Sequence, residues 1–208
     1  MNNEFSKKEI VLIIEQLINK NDIINGTLKM HVSRIEGGKY CPKSLAMYLL
    51  ISTSEGDIFV LNNKESLCFY NEDVKSKGKL SNIKSANALV SVMSSIYARG
   101  NNFDNAILFN TDANVIECSN SNIFIVKEDV IYTSPVSDGC VSGTLRGWVL
   151  NNEIVIEKSL SKKEILNADE IFITNAVSGI IPVKKVEETE FFSFELSTKL
   201  QKVLISQS

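Results

Sequence analysis

Three stretches of this 208-residue chain carry residue types and spacings that can do chemistry. The first is Lys84-Ser85-Ala86-Asn87, just ahead of an apolar-periodic run. A helix dipole disfavours the charged form of a lysine at a helix start, which suits an amine that must act as a nucleophile. The second is Val115-Ile116-Glu117-Cys118, followed by Ser119-Asn120-Ser121-Asn122. A carboxylate among apolar strand residues and small polar neighbours can hydrogen-bond the nitrogen of a bound ring. The third is Ser137-Asp138-Gly139-Cys140-Val141-Ser142-Gly143-Thr144-Leu145-Arg146-Gly147. Glycines and hydroxyls ahead of an apolar run describe a helix N-terminus, whose free N–H groups and partial positive charge attract phosphate. Each stretch also has a plainer reading, and singly the plainer one is commoner. These readings are one more exposed lysine, a solvent-facing glutamate on an alternating strand, and a loop with a Ser or Thr cap. The glycine spacing fits neither a Walker A loop nor a dinucleotide fingerprint.

Periodicity outlines the elements that must position these groups. Ser6 to Asn19 reads as a helix, with Ser6 as cap, Glu9 at the capping-box position and Ile10, Ile13, Ile14, Leu17 and Ile18 on one face. Leu28 to Ile35, Leu45 to Thr53 and Ile58 to Asn62 are strand-like, and Glu72 to Leu80 is a polar surface connection. Ser85 to Arg99 is a second helix, with Ala88, Leu89, Val92, Met93 and Ile96 on one face and Gly100 ending it. Short strands follow at Ala106 to Phe109, Val115 to Cys118, Ile123 to Val126 and Val130 to Thr133. A helix starts at Gly143, strands lie at Ile154 to Glu157 and Glu170 to Thr174 with a capped turn from Ser161 between them, and Phe192 to Ser206 is a terminal helix. The order describes a mixed α/β, or α+β, chain in two parts. The composition changes near Ser81, which places a small α/β domain over residues 1–80 and a larger one over 81–208.

The composition narrows the function classes. A net charge of -3 without a basic cluster argues against a nucleic-acid surface. No apolar stretch is long enough to span a bilayer, and the polar start Met1 to Lys8 lacks the apolar core of a secretory signal. Four scattered cysteines and a single histidine, His31, give no zinc pattern and read as reduced thiols in a cytoplasm.

The order of the three stretches carries more than any one of them. Lys84 to Leu89, Asn114 to Glu117 continued by Ser121 to Phe124, Ile131 to Pro135 with Gly139 to Arg146, and Ala168 to Ala176 together resemble the class IV (fold type IV) pyridoxal-phosphate enzymes. The resemblance runs from about Ser81 to Pro182 and is nearest to the 4-amino-4-deoxychorismate lyases. Branched-chain and D-amino-acid aminotransferases share the same blocks. The resemblance implies a two-part fold with a small N-terminal domain and a larger strand-rich pseudo-barrel. It implies pyridoxal 5'-phosphate as cofactor, a small amino substrate and a homodimer. Lys84 would bond the cofactor and later move the substrate proton, and Glu117 would pair with the pyridine nitrogen. Gly143, Thr144 and Leu145 would bind the phosphate with Ala176 beside it, and Lys39 and Asn175 would contact substrate. No metal is implied.

One departure stands out. The family's opening strands carry a His-x-x-Arg-Leu segment whose arginine clamps the phosphate. His31-Val32-Ser33-Arg34-Ile35 superficially fits it, but its flanks, Asn25 to Lys29 and Glu36 to Tyr40, resemble a later strand and hairpin loop of the small domain. Arg34 is therefore expected in a strand, the small domain is expected to be truncated, and cofactor binding is expected to be weaker than in a complete member.

Overall fold

A computed structural model describes residues 6–61 and 63–207. The polar start Met1 to Phe5 and Asn62, the last residue of one expected strand, lie outside the described residues. The chain forms two compact units, Met1–Ile58 and Phe59–Ser208.

In the first unit, helix α1 (Lys7–Lys20) starts with the expected capping box. The Ser6 side chain accepts from the Glu9 N–H, and the Glu9 carboxylate accepts from the Ser6 N–H. Strands β1 (Gly26–Arg34) and β2 (Met47–Glu55) pair antiparallel over their whole length, from Gly26 opposite Glu55 to Arg34 opposite Met47. Arg34 thus ends a strand, and its guanidinium donates to the Gly37 carbonyl at 3.1 Å and the Lys39 carbonyl at 2.7 Å.

The second unit is a nine-stranded mixed sheet. Its strands are β3 (Glu65–Phe69), β4 (Asn105–Phe109), β5 (Val115–Cys118), β6 (Asn122–Lys127), β7 (Val130–Thr133), β8 (Val155–Glu157), β9 (Glu170–Asn175), β10 (Gly179–Val186) and β11 (Thr189–Glu190). The order is β5-β4-β3-β10-β9-β6-β7-β8, with β11 beside β10. The sheet curls, because one apolar cluster draws inward-facing residues from six strands: Leu67, Ile107, Val115, Ile123, Ile171 and Ile181 among them. This is the expected pseudo-barrel. Helices cover its outer faces. Helices α3 (Thr144–Asn152) and α5 (Glu195–Ser206) place Val149, Leu200 and Leu204 on Phe124, Phe172 and Ile180. Buried Glu170 caps α5 by accepting from the Ser197 N–H at 2.7 Å and the Leu196 N–H at 3.2 Å. Helix α2 (Leu89–Gly100) lays Ala98 on Cys68, Ala106 and Leu108, and the short α4 (Lys162–Leu166) carries the expected capping box, Ser161 with Glu164.

Several expectations need correcting. The units divide at Ile58/Phe59 and not near Ser81, because β3 lies mid-sheet between β10 and β4 and so belongs to the barrel. Ile58 to Leu61 is not a strand. Helix α2 begins at Leu89, so Lys84 lies ahead of it and the helix-start argument for that lysine fails. The stripe Leu89, Val92, Met93 and Ile96 faces outward, while the small residues Ser94 and Ala98 let the helix approach the sheet.

Candidate active site

The glycine-rich segment is the hub on which the other groups converge. Gly143 is the N-cap of α3, and no side chain caps this terminus. The amides of Thr144 and Leu145 have no hydrogen-bond partner among the described residues, as the first turn of a helix leaves its N–H groups. A side chain at Gly143 would overlap the Asn122 carboxamide oxygen, so the close approach requires glycine. Asn122 holds the loop there by donating to the Val141 carbonyl at 2.8 Å. Its strand partner Thr174 carries a buried hydroxyl with no partner among the described residues.

Glu117 is buried on β5, where a bulge opposite Leu108 and Phe109 disturbs the alternation. Val115 and Cys118 turn into the barrel, Ile116 packs on the outer cluster that contains Cys140, and Glu117 reaches the loop beside Cys140. One Glu117 oxygen accepts from the Val141 N–H at 2.7 Å. The other pairs with the ammonium of Lys75. The Glu72 to Leu80 connection lies at the surface, as expected, and is tied down at two lysines. Lys75 donates its N–H to the Phe109 carbonyl at 2.9 Å, and Lys77 pairs with Asp112. Lys75 is the site residue that sequence reasoning missed. In sequence it is one lysine among three in a polar stretch, and only the fold brings it to Glu117.

Lys84 lies two residues beyond Asn82, which is stitched to the same loop. The Asn82 side chain donates to the carbonyls of Val136 at 2.6 Å and Cys140 at 2.8 Å, and its own carbonyl accepts from the Ser142 N–H at 3.0 Å. The Lys84 side chain is exposed and makes no ion pair or hydrogen bond among the described residues. Ala176 is exposed in the turn after β9. Asn175 builds that turn by accepting from the N–H groups of Val177 at 3.0 Å and Ser178 at 2.8 Å, and it donates to Ser121 at 3.0 Å. Lys39 is exposed in the loop between β1 and β2, in the other compact unit.

The thiols nearby are poor nucleophiles. Burial pushes Cys140 up to about 11, a rise that the positive charge of Arg146 only partly offsets, and burial pushes Cys68 up to about 11 as well. Arg146 is itself committed to structure: it donates to the Ser134 carbonyl at 2.9 Å and pairs with Glu157.

The profile of amino-transferase class IV matches residues 1–186. A D-alanine aminotransferase of Bacillus licheniformis is 39% identical over 110 residues, covering 50% of this chain and 38% of that one. A candidate branched-chain-amino-acid aminotransferase of Aquifex aeolicus is 27% identical over 212 residues, covering 92% of this chain and 65% of its own length. The chain thus spans less than two thirds of these relatives. The crystal structure of a candidate 4-amino-4-deoxychorismate lyase from Legionella pneumophila matches with a TM-score of 0.90 at 26% identity, over 99% of this chain and 78% of that one. On this agreement of profile, sequence and fold, the chain belongs to the class IV aminotransferases, a family of pyridoxal-phosphate-dependent enzymes.

Proposed function

We propose that this chain holds pyridoxal phosphate between Lys84, Glu117 and the start of α3, and that it releases pyruvate from 4-amino-4-deoxychorismate to give 4-aminobenzoate. The convergence on one loop carries the cofactor reading. Val141 donates to Glu117, its neighbours Cys140 and Ser142 are bonded to Asn82 just before Lys84, and Gly143 opens α3 two residues later. The residues fit the cofactor at both ends. An uncapped helix terminus with unpartnered amides suits a phosphate, and a buried carboxylate with lone pairs to spare suits a pyridine N–H.

Thr144 and Leu145 would donate their amides to the phosphate, with the helix dipole adding attraction and Ala176 beside it. Glu117 would accept the ring N–H. When bound, the cofactor withdraws electrons from the carbon that bears the substrate amine. Lys84 would take the proton from that carbon; as the ring aromatises, the ring bond to the enolpyruvyl oxygen breaks and a proton passes to that leaving group, which departs as pyruvate. Asn175 is the proposed substrate contact. A homodimer is proposed as well, because the outward stripe of α2 leaves Leu89 68% and Ile96 54% exposed, and self-association would cover it. Among the described residues no helix is long and apolar enough to cross a membrane.

The fold match over 99% of this chain to a candidate lyase supports lyase chemistry. The 39% identity to a D-alanine aminotransferase supports the second reading, return of the amine to a keto acid. Supplying 4-amino-4-deoxychorismate and measuring 4-aminobenzoate, alongside amino-donor and keto-acid pairs, separates them. The lyase reading expects aminobenzoate. Transamination without aminobenzoate would replace it with the second reading.

A further inference from the structure

Lys75 belongs to no regular element, yet the fold holds it like a strand residue. Its backbone N–H donates to the Phe109 carbonyl at 2.9 Å, and it forms a parallel bridge with Asn110 just past β4. From there its side chain reaches the next strand and pairs with Glu117. The contact is largely dry, with the Lys75 side chain 17% exposed and that of Glu117 5%. Among the described residues no other cation pairs with Glu117. A buried carboxylate without a counter-charge is costly, so this lysine supplies what the site's electrostatics demand. Each Glu117 oxygen is also held by a different donor, the Lys75 ammonium on one and the Val141 N–H on the other. That arrangement fixes the plane of the carboxylate and the directions of its remaining lone pairs.

We propose that Lys75 is a positioning residue of the cofactor site, holding the Glu117 carboxylate in the orientation that accepts a pyridine N–H. The inference rests on the reading of Glu117 in the proposed function. Lys75 acts only through Glu117 and touches no reacting atom. The competing account makes the pair a strap that ties the Glu72 to Leu80 connection to the barrel. Lys77 provides the control, since it straps the same connection to Asp112, and at 3.7 Å to Asp138 of the glycine-rich loop, without touching Glu117.

The test compares pyridoxal phosphate with its 1-deaza analogue, in which carbon replaces the ring nitrogen. Both are titrated into the full chain by quenching of Trp148 fluorescence, in wild type, Lys75→Met, Lys75→Arg, Lys77→Met and Glu117→Gln. Lys75→Met should weaken pyridoxal phosphate by roughly ten- to a hundredfold, the range of one hydrogen bond to a charged group, and leave the deaza analogue nearly unchanged. Lys75→Arg should restore most of the preference, and Lys77→Met should not alter it. Equal weakening of both ligands by Lys75→Met, or no weakening, overturns the inference. A wild-type chain that binds both ligands alike, with Glu117→Gln indistinguishable from it, overturns the reading of Glu117 itself. If Lys75→Met does not fold, Lys75→Gln carries the same comparison.

Discussion

Replacing Gly143 with alanine tests the cradle at the start of α3 by a steric argument alone. The backbone there has φ -68° and ψ 145°, which any residue adopts, so no conformational strain enters. The added Cβ would fall well inside 3.0 Å of the Asn122 carboxamide oxygen, and its next neighbour, the Arg146 Cβ, lies at a comfortable 3.7 Å. Asn122 is 5% exposed and donates to Val141 at 2.8 Å, so it cannot swing away without breaking that bond. The lost hydrogen bond costs about 1 kcal/mol and the overpacking about 1–3 kcal/mol, together about 2–4 kcal/mol. For a unit of this size that lowers Tm by roughly 5–15 °C. Thermal unfolding followed by circular dichroism measures it. The decisive comparison repeats Gly143→Ala in an Asn122→Ala background. With the carboxamide gone, the cost of the alanine should fall below about 1 kcal/mol, a coupling far above the scatter of additive pairs. An equal cost in both backgrounds would refute the steric reasoning.

Glu117→Gln should leave the fold intact by circular dichroism and weaken pyridoxal phosphate by roughly ten- to a hundredfold, since a charge-assisted bond becomes a neutral one. Wild-type affinity and turnover in that variant would make Glu117 a strand residue only. Cys41 is exposed and the other three thiols are buried, so a thiol reagent at neutral pH should modify one site per native chain quickly and four in denaturant. Rapid native modification of Cys140 would contradict its burial. Hydrogen bonds from Lys158 and Ser161 hold Glu164 down at about 2 from an ordinary 4.5. Its contribution to stability is therefore complete above about pH 4.5 and is lost as pH falls through about 2. Glu164→Gln should flatten that acid limb in pH-dependent unfolding, and an unchanged limb would assign the loss to other carboxylates.

Much of the fold was legible because its signals are local. The capping boxes Ser6/Glu9 and Ser161/Glu164 form as read, and β5 and β7 lie at their expected bounds. The missed elements share a cause in their surroundings. Strand β3 shows no alternation because both its faces are buried, Leu67 and Phe69 inside the barrel and Cys68, with Tyr70 just past the strand, under α2. Strand β10 carries Pro182, which argues against a central strand, yet it runs between β3 and β9. Helix α2 presents its apolar stripe outward, because Ser94, bonded to Ser119 at 2.7 Å, and Ala98 take the inner face. At the site, the three candidate stretches could be named but not joined. Their meeting depends on bonds from Asn82 and Asn122 and on the pairing of Lys75 with Glu117, all distant in the chain.

Borohydride reduction of the chain loaded with pyridoxal phosphate, followed by peptide mapping, bears most directly on the central proposal. Near the glycine-rich loop stand Lys84, exposed and without a partner among the described residues, Lys75, committed to Glu117, and Lys77, paired with Asp112 and with Asp138 of the loop. The account predicts the reduced cofactor on Lys84 alone, with Lys84→Ala abolishing the label while the fold persists. A label on Lys75, Lys79 or Lys39 would contradict it.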